Sequence, residues 1–244
     1  MQQSKLVVLE NPKSPVAEAY RIARTNIQFA AVDKDLKTLL ITSSGPSEGK
    51  STTAANLSIA FAQAGKSVLL VDADLRKPTQ HKVWGFDNTK GLTNILLGDA
   101  EISRTVQPTP MNNLHVLTTG PIPPNPSEMM GSQRMSQLLK KFQEYADIII
   151  IDTPPIIAVT DAALLAPQVD GVVLVIAAGQ ARIESAQKAK KMLINGKATI
   201  LGTILNMVEE DSEDYYYYYY YVEGGNNKKK GKHRNNKVAS LIDI

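Results

Sequence analysis

The fold of this chain follows from one stretch, TLLITSSGPSEGKSTT at residues 38–53. An apolar run passes into a loop of small residues, and a lysine and three hydroxyl residues then begin a helical segment. This order predicts a strand, a phosphate loop and a helix. Glycines let backbone N–H groups turn toward a phosphate, and the helix N-terminus adds a partial positive charge.

Two side chains of this loop carry the chemistry of a nucleoside triphosphate site. Lys50 would contact the β- and γ-phosphates, and Ser51 would offer its hydroxyl to Mg²⁺. The usual spacing, Gly-x4-Gly-Lys-Ser, places its first glycine at position 44, but Ser44 stands there and Gly45 comes one position later. A plain Gly/Ser turn before a helix is the simpler alternative, and two acidic motifs farther along favour the phosphate loop.

The acidic motifs follow apolar runs. The run at 67–71 leads to Asp72 and Asp74, and the run at 148–151 leads to Asp152. Parallel strands of a βαβ unit end at the same edge of the sheet, so these acids should lie beside the phosphate loop. Asp72 and Asp74 could bind Mg²⁺ or take a proton from an incoming hydroxyl, and the spacing does not divide these roles; Asp152 should lie near the metal. A polar turn after each strand is the alternative.

The alternation of elements predicts an α/β fold with a doubly wound, mainly parallel sheet. We expect helices at 15–29, 51–64, 92–97, 132–145 and 184–194, and strands at 67–71, 114–117, 147–152, 172–177 and 199–205. The proline-rich segment 120–128 is expected to be a stiff, extended loop, either a rim of the site or a connector. The domain division is an N-terminal segment with a helix (1–36), an ATP-binding domain (37–207) and a flexible tail (208–244).

Composition sets the remaining limits. The 244 residues contain no cysteine and carry a net charge of +3. The absence of cysteine fits a reducing cytosol and equally a secreted protein without disulfides. The first thirteen residues lack a signal pattern, and no run reaches the roughly 18 apolar residues of a membrane helix, so we expect a soluble chain.

The tail joins two charged blocks to a tyrosine cluster. Residues 209–223 hold six acids and no base, and residues 228–237 hold six bases and no acid. Within the acidic block, after Asp214, stand seven consecutive tyrosines: Tyr215, Tyr216, Tyr217, Tyr218, Tyr219, Tyr220 and Tyr221. A core strand is implausible here, because both of its faces would be tyrosine. A low-complexity segment is one interpretation; beside an ATP site, phenols on a disordered tether favour transfer of the γ-phosphoryl of MgATP to the tail itself.

The helix predicted at 15–29 carries charges at every third position, Glu18, Arg21 and Arg24. This spacing places one acid and two bases on a shared stripe. On spacing alone, a solvated face with an internal ion pair is the simpler interpretation, and a patch that pairs with a neighbouring subunit is the alternative.

These motifs together resemble those of a known family. Lys50-Ser51, LLVDADLR at 69–76 and IIIIDTPP at 148–155 look like the Walker A, A′ and B motifs of bacterial tyrosine kinases. That family belongs to the phosphate-loop ATPase class of the chromosome-partition and septum-site ATPases. The stripe at 18–24 matches the subunit-interface motif of the family, and PPNPSE at 123–128 resembles its middle loop. Partition-type relatives carry a further lysine where this chain has Gly45, which argues against that branch.

The resemblance implies roles for the site residues. It makes Asp72 the base for the tyrosine hydroxyl, with Lys50 and Asp74 completing the catalytic set, and it makes Ser51, Asp74 and Asp152 the Mg²⁺ ligands. Thr52 would contact the α-phosphate, and Asn206 would contact adenine by analogy with the wider class. The expected nucleotide-binding set is Gly45, Glu48, Gly49, Lys50, Ser51, Thr52 and Asn206.

The resemblance also implies partners and a place in the cell. It implies a ring of identical subunits joined through Glu18, Arg21 and Arg24, a separate membrane protein whose cytoplasmic segment activates the kinase, a cognate tyrosine phosphatase and protein substrates. The chain would be cytoplasmic, recruited to the inner face of the membrane, and would regulate capsule or exopolysaccharide synthesis and export.

Two other functions remain open on the sequence. One is an ATPase that switches its oligomeric or membrane-bound state without kinase activity. The other is a binding module whose basic block at 228–237 contacts nucleic acid or anionic lipid. That block lacks interleaved aromatic residues and lies near an acidic block of equal charge, so no nucleic acid is expected.

Overall fold

The computed structural model describes residues 6–31 and 35–208. Its strands are β1 (Thr38–Ser43), β2 (Val68–Asp72), β3 (Gln107–Pro108), β4 (Leu114–Leu117), β5 (Ile148–Asp152), β6 (Gly171–Ala177) and β7 (Ile200–Asn206). Its helices are α1 (Val7–Glu10), α2 (Pro15–Ala30), α3 (Lys50–Gln63), α4 (Gln80–Trp84), α5 (Leu92–Leu97), α6 (Ile102–Thr105), α7 (Pro126–Met130), α8 (Gln133–Tyr145), α9 (Asp161–Leu165) and α10 (Ile183–Asn195), with one 3-10 turn at Ala166–Gln168.

The seven strands form one sheet in the order β3-β4-β2-β5-β1-β6-β7. All neighbours are parallel except β3 and β4, which are antiparallel. Strand β1 lies between β5 and β6, and the chain winds from it toward both edges of the sheet. Ligands of such sheets bind outside the carboxyl ends of the strands where the winding direction changes, which is where β1 ends.

Helices cover both faces of the sheet, and strand residues alternate between the two cores. Leu39 and Ile41 of β1 pack with Leu57 and Phe61 of α3 on one face, where α1 and α2 also contribute. Leu40 points to the other face, toward residues of α5, α7, α8, α9 and α10. Strands β1, β2 and β5 are buried along their whole length, as expected of parallel strands covered on both sides.

The structure confirms the doubly wound, mainly parallel fold and corrects the middle segment. Residues 120–128 do not form an extended loop throughout, because α7 begins at Pro126, whose fixed φ suits the first turn of a helix. The tyrosine tail lies outside the described residues, and the three-part domain division stays a prediction. Within residues 6–31 and 35–208, no helix is both long and apolar enough to cross a bilayer.

Helix α8 offers a direct measure of how much the core stabilises the fold. Phe142 is fully buried, whereas Tyr145 on the same helix is 52% exposed. We expect Phe142→Ala to lower the free energy of unfolding by about 3–5 kcal/mol, because it removes buried contacts and leaves a cavity. Tyr145→Ala should stay within about 0.5 kcal/mol of the parent. Urea denaturation measures both, and equal losses would contradict the packing described.

Candidate functional site

The phosphate loop connects β1 to α3 through two residues with positive φ, Ser47 (63°) and Gly49 (83°). Gly49 precedes the first helical residue, Lys50. A Cβ at Gly49 would lie 2.0 Å from Nδ2 of Asn206. Only glycine combines this backbone conformation with so close an approach, so the second glycine of the motif is required for two separate reasons.

Glu48 explains how the loop keeps its shape with Ser44 in place of the first glycine. The Oε1 atom of Glu48 accepts hydrogen bonds from the Ser44 hydroxyl (2.5 Å) and from the Gly45 N–H (2.7 Å). The Glu48 side chain is buried, and among the residues described its Oε2 atom has no hydrogen-bond partner. Gly45, the glycine that is displaced by one position, therefore lies in a turn that is stabilised by the Glu48 carboxylate of the same loop.

Lys50 brings the phosphate loop and both acidic motifs together. Its Nζ lies 3.0 Å from Oδ2 of Asp74, 3.4 Å from Oδ1 of Asp152 and 3.1 Å from Oγ of Ser51. All four side chains are buried. Burial alone would lower the pKa of Lys50, but the carboxylates of Asp152 and Asp74 raise it above its ordinary value, so the lysine stays an ammonium.

Asp72 lies beside this cluster, opposite Asp152 in the register of β2 and β5. Its Oδ2 accepts the N–H groups of Thr79 and Gln80, both at 2.9 Å, and its Oδ1 accepts the Asp74 N–H at 3.2 Å. Burial and the nearby Asp152 carboxylate raise the pKa of Asp72 to about 7. A carboxyl that titrates near neutral pH is suited to general-base chemistry.

Asp74 holds the turn that follows β2. Its Oδ1 accepts the N–H groups of Arg76 (3.3 Å) and Lys77 (2.9 Å), while its Oδ2 faces Lys50. Both oxygens of Asp72 and of Asp74 therefore have partners, and the two acids have different surroundings. Among the described residues, the Asp72 carboxylate accepts hydrogen bonds from backbone N–H groups only, whereas Asp74 also forms an ion pair with Lys50.

The structure adds residues that the sequence analysis did not assign to the site. Arg76 pairs with the fully buried Asp161 through Nε (2.9 Å) and Nη2 (3.1 Å), and Ser127 bonds to both residues. These contacts tie the turn after β2 to α7 and α9. The residue type at Arg76 hinted at such a role, but Asp161 looks in the sequence like an ordinary acid in the first turn of a helix.

Gln80 is the second residue that the sequence did not reveal. It is fully buried at the start of α4, and its Nε2 donates to the Ser51 carbonyl (2.9 Å) and to Oδ2 of Asp152 (2.8 Å). No spacing signal marks it, because α4 has only five residues and its N-cap residue, Thr79, makes no side-chain capping bond. A glutamine eight positions after Asp72 therefore reads as an ordinary polar residue.

The remaining members of the predicted nucleotide-binding set also lie at this edge of the sheet. Asn206 at the end of β7 donates from Nδ2 to the Glu48 carbonyl at 3.0 Å, which joins the last strand to the phosphate loop. Thr52 is partly exposed in the first turn of α3. The adenine contact of Asn206 and the α-phosphate contact of Thr52 stay predictions.

The charged stripe of α2 makes contacts within the chain. Arg21 pairs with Glu18 at 2.8 Å and donates to the Pro12 carbonyl, and Arg24 donates from Nη1 to the Ala60 carbonyl of α3 at 3.1 Å. All three charged side chains remain partly exposed. The internal ion pair is present as the simpler interpretation expected, and the subunit interface stays a prediction.

Gly49→Ala tests the closeness of the phosphate loop to Asn206, and Gly65→Ala is its matched control. Gly65 also has a positive φ (86°), but within the described chain a Cβ there meets no atom within 4 Å. We expect Gly65→Ala to cost about 1–2 kcal/mol of unfolding free energy, the penalty of the left-handed conformation. Gly49→Ala should cost more, because the new Cβ also collides with the Asn206 amide.

A double-mutant cycle isolates that collision. In an Asn206→Ala background, the excess cost of Gly49→Ala over Gly65→Ala should shrink, because the colliding amide is gone. Urea denaturation of the parent, the three single variants and the two double variants supplies the six free energies of unfolding that this comparison needs. An excess that is unchanged without Asn206 would show that the loop strain has another origin.

The raised pKa of Asp72 predicts how stability changes with pH. The folded state keeps this carboxyl protonated up to about pH 7, whereas the unfolded chain ionises it near the ordinary pKa of 3.8. The stabilisation is complete below the unfolded pKa and is lost as the pH rises through the folded one. Relative to Asp72→Asn, which does not titrate, the parent should lose unfolding free energy between pH 4 and pH 7.

Urea denaturation without nucleotide or metal, at intervals from pH 4 to pH 8, provides the comparison. Taking the difference between the parent and Asp72→Asn cancels the titration of groups that the two proteins share. Parallel pH profiles would contradict a raised pKa for Asp72.

Comparisons with known proteins agree with this geometry. Residues 35–244 match the ParA family, described as NUBPL iron-transfer P-loop NTPase. The chain is 50% identical to the tyrosine-protein kinase YwqD of Bacillus subtilis (strain 168), over 84% of this chain and 86% of the relative. It is 41% identical to the putative tyrosine-protein kinase CapB of Staphylococcus aureus, over 85% of this chain and 91% of the relative.

A solved structure gives the same result. The crystal structure of the chimerical protein CapA2B2 superposes with a TM-score of 0.82 at 41% identity, covering 85% of this chain and 92% of that one. The chain that has this sheet, phosphate loop and pair of acidic motifs is thus also extensively identical in sequence to these proteins. The chain belongs to the bacterial tyrosine-protein kinases, within the phosphate-loop NTPase class.

Proposed function

We propose that this chain transfers the γ-phosphoryl group of ATP to tyrosines of its own C-terminal cluster, Tyr215–Tyr221. The observation that carries the proposal is the convergence of Lys50, Ser51, Asp74 and Asp152 beside a carboxyl whose pKa is near neutral. Such a site combines a cation for phosphates, oxygen ligands for a metal and a candidate base. The tyrosine cluster, in a chain of this family, supplies the acceptor hydroxyls.

The residues present fit Mg²⁺. Ser51 Oγ, Asp74 Oδ2 and Asp152 Oδ1 already surround one positive charge, the Lys50 ammonium, at 3.0–3.4 Å. In the part of the chain that is described, no group of three or more His, Cys, Asp and Glu side chains forms a ready metal cage. Mg²⁺ does not need such a cage, because it retains several waters and binds through one or two carboxylates and substrate phosphates. When bound, Mg²⁺ would neutralise charge on the phosphates.

Side chains and backbone groups of the chain itself remove the proton and bind the phosphates. Asp72 takes the proton of the tyrosine hydroxyl as its oxygen forms a bond to the γ-phosphorus, and the bond to the β,γ-bridging oxygen breaks to leave ADP. Lys50 contacts the β- and γ-phosphates, and the N–H groups of the loop from Ser47 to Thr52 hold the phosphates in place. Because Asp72 is fully buried, the residues around it must move before a tyrosine reaches it.

The partners are proposed from the resemblance and from the names of relatives. The resemblance implies a separate membrane activator and a role in capsule or exopolysaccharide synthesis and export, and the relative CapB is named a putative tyrosine-protein kinase. We propose a ring of identical subunits joined through Glu18, Arg21 and Arg24, so that one subunit phosphorylates the tail of its neighbour. A cognate phosphatase would reverse the modification, and the activator would hold the ring at the inner face of the membrane.

Phosphotyrosine mapping by mass spectrometry after incubation with MgATP tests the kinase function. The parent should gain phosphate on Tyr215–Tyr221, and Lys50→Met should reduce it by about 100-fold or more, since a charge that stabilises the transferring phosphoryl group is lost. Because Lys50 also compensates two buried carboxylates, circular dichroism must show that the variant is folded. A peptide of the activator's cytoplasmic segment is supplied in parallel, since the isolated chain can be idle.

A mixing experiment separates transfer within a subunit from transfer between subunits. Lys50→Met retains all acceptor tyrosines, and a second variant with Phe at positions 215–221 retains the kinase site. Phosphate on the Lys50→Met chain in the mixture would establish transfer between subunits.

Hydrolysis of ATP by the parent with activator present, without any phosphotyrosine, would contradict the kinase proposal and favour the ATPase switch.

A further inference from the structure

Gln80 lies where the three sequence motifs of the site meet. Its backbone N–H donates to Oδ2 of Asp72 at 2.9 Å. Its side-chain Nε2 donates to the carbonyl of Ser51 at 2.9 Å and to Oδ2 of Asp152 at 2.8 Å. One residue therefore contacts the phosphate-loop helix and the acids of both neighbouring strands, and its side chain is fully buried.

The orientation of the Gln80 amide is fixed by these contacts. A backbone carbonyl accepts but cannot donate, and the same holds for an ionised carboxylate, so the amide nitrogen must face Ser51 and Asp152. The amide oxygen then points away from both. Among the residues described, Oε1 of Gln80 has no hydrogen-bond partner. A buried carbonyl oxygen without a partner is unfavourable, and a ligand or ordered water would offset this cost.

Asp152 depends on this amide for its orientation. Its Oδ2 is held by Gln80, and its Oδ1 faces the Lys50 ammonium at 3.4 Å. With Oδ2 engaged, rotation of the carboxylate is restricted and Oδ1 remains the oxygen turned toward the cation position. Groups that orient a metal-binding carboxylate in this way contribute to metal affinity without touching the metal.

We propose that Gln80 is a positioning residue for the magnesium ion of the nucleotide site. Its Nε2 holds Oδ2 of Asp152, so that Oδ1 is the oxygen left to face the metal. This inference rests on the proposed function, since it concerns the metal of the same site.

Titration of Mg²⁺ into the ADP-bound protein, followed by calorimetry, tests the proposal. In Gln80→Met, which is similar in size and lacks both polar atoms, the apparent dissociation constant for Mg²⁺ should rise by about 10–100-fold. The affinity for ADP in EDTA should change by less than about threefold, because the phosphate-loop contacts remain. The backbone N–H to Asp72 is retained in the variant, so the candidate base keeps its hydrogen bond.

Gln107→Met is the matched control. The Nε2 of Gln107 also donates to two oxygens, the Asp87 carbonyl (3.0 Å) and the Thr118 hydroxyl (3.4 Å), neither of them in the phosphate loop or an acidic motif. This variant loses the same kind of amide and should leave the Mg²⁺ constant within twofold of the parent. A similar rise in both variants would show general destabilisation and would overturn the proposal.

A second variant keeps the test decisive if Gln80→Met does not fold. Gln80→Asn retains an amide but is one methylene shorter, so it cannot reach both Ser51 and Asp152, and its Mg²⁺ constant should also rise. A dissociation constant for Mg²⁺ within twofold of the parent in either folded variant would show that Gln80 has only a structural role, and would overturn the proposal. These measurements need only ADP and Mg²⁺, so a parent that binds both but phosphorylates no tyrosine would count against the kinase proposal alone.

Discussion

The site depends on the balance between the buried positive charge of the Lys50 ammonium and the buried carboxylates around it. Asp74 and Asp152 are buried, and one lysine faces both of them. Buried charges without a partner cost several kcal/mol, so a cation beside these carboxylates stabilises the site. If Lys50 moves to the phosphates of a bound nucleotide, the carboxylates lose that partner. A metal ion at this position would then serve the electrostatics of the carboxylates as well as the chemistry of phosphoryl transfer.

The parallel sheet supplies the geometry that makes this balance possible. Asp72 and Asp152 are register partners at the ends of β2 and β5, and β5 also pairs with β1, which leads into the phosphate loop. Three neighbouring strands thus end at one level, with a helix N-terminus beside them. Side chains that are far apart in the sequence are brought within hydrogen-bond distance of Lys50 without any long loop having to be ordered.

The sequence predicted the elements whose signal is local and periodic. Buried strands, the amphipathic helix ending at Tyr145 and the acids at strand ends could be placed because burial on both faces and a position after an apolar run leave clear patterns. Helix α4, Gln80 and Asp161 could not be placed, because their roles come from contacts with distant segments. The segment 120–128 was misjudged for a related reason: Pro126 fits an extended loop and a helix start equally well, and the packing of Met129 and Met130 decides between them.

The α2 stripe makes contacts within the chain that its proposed role in assembly would have to share. Arg24 donates to the carbonyl of Ala60 near the C-terminus of α3, where a positive charge also complements the helix dipole. The opposite end of α3 begins at Lys50, so α2 is braced against the helix that presents the phosphate loop. A contact that draws Arg24 toward a neighbouring subunit would have to compete with its bond to α3. The surface proposed for assembly therefore contacts the same helix whose N-terminus follows the loop proposed for nucleotide binding.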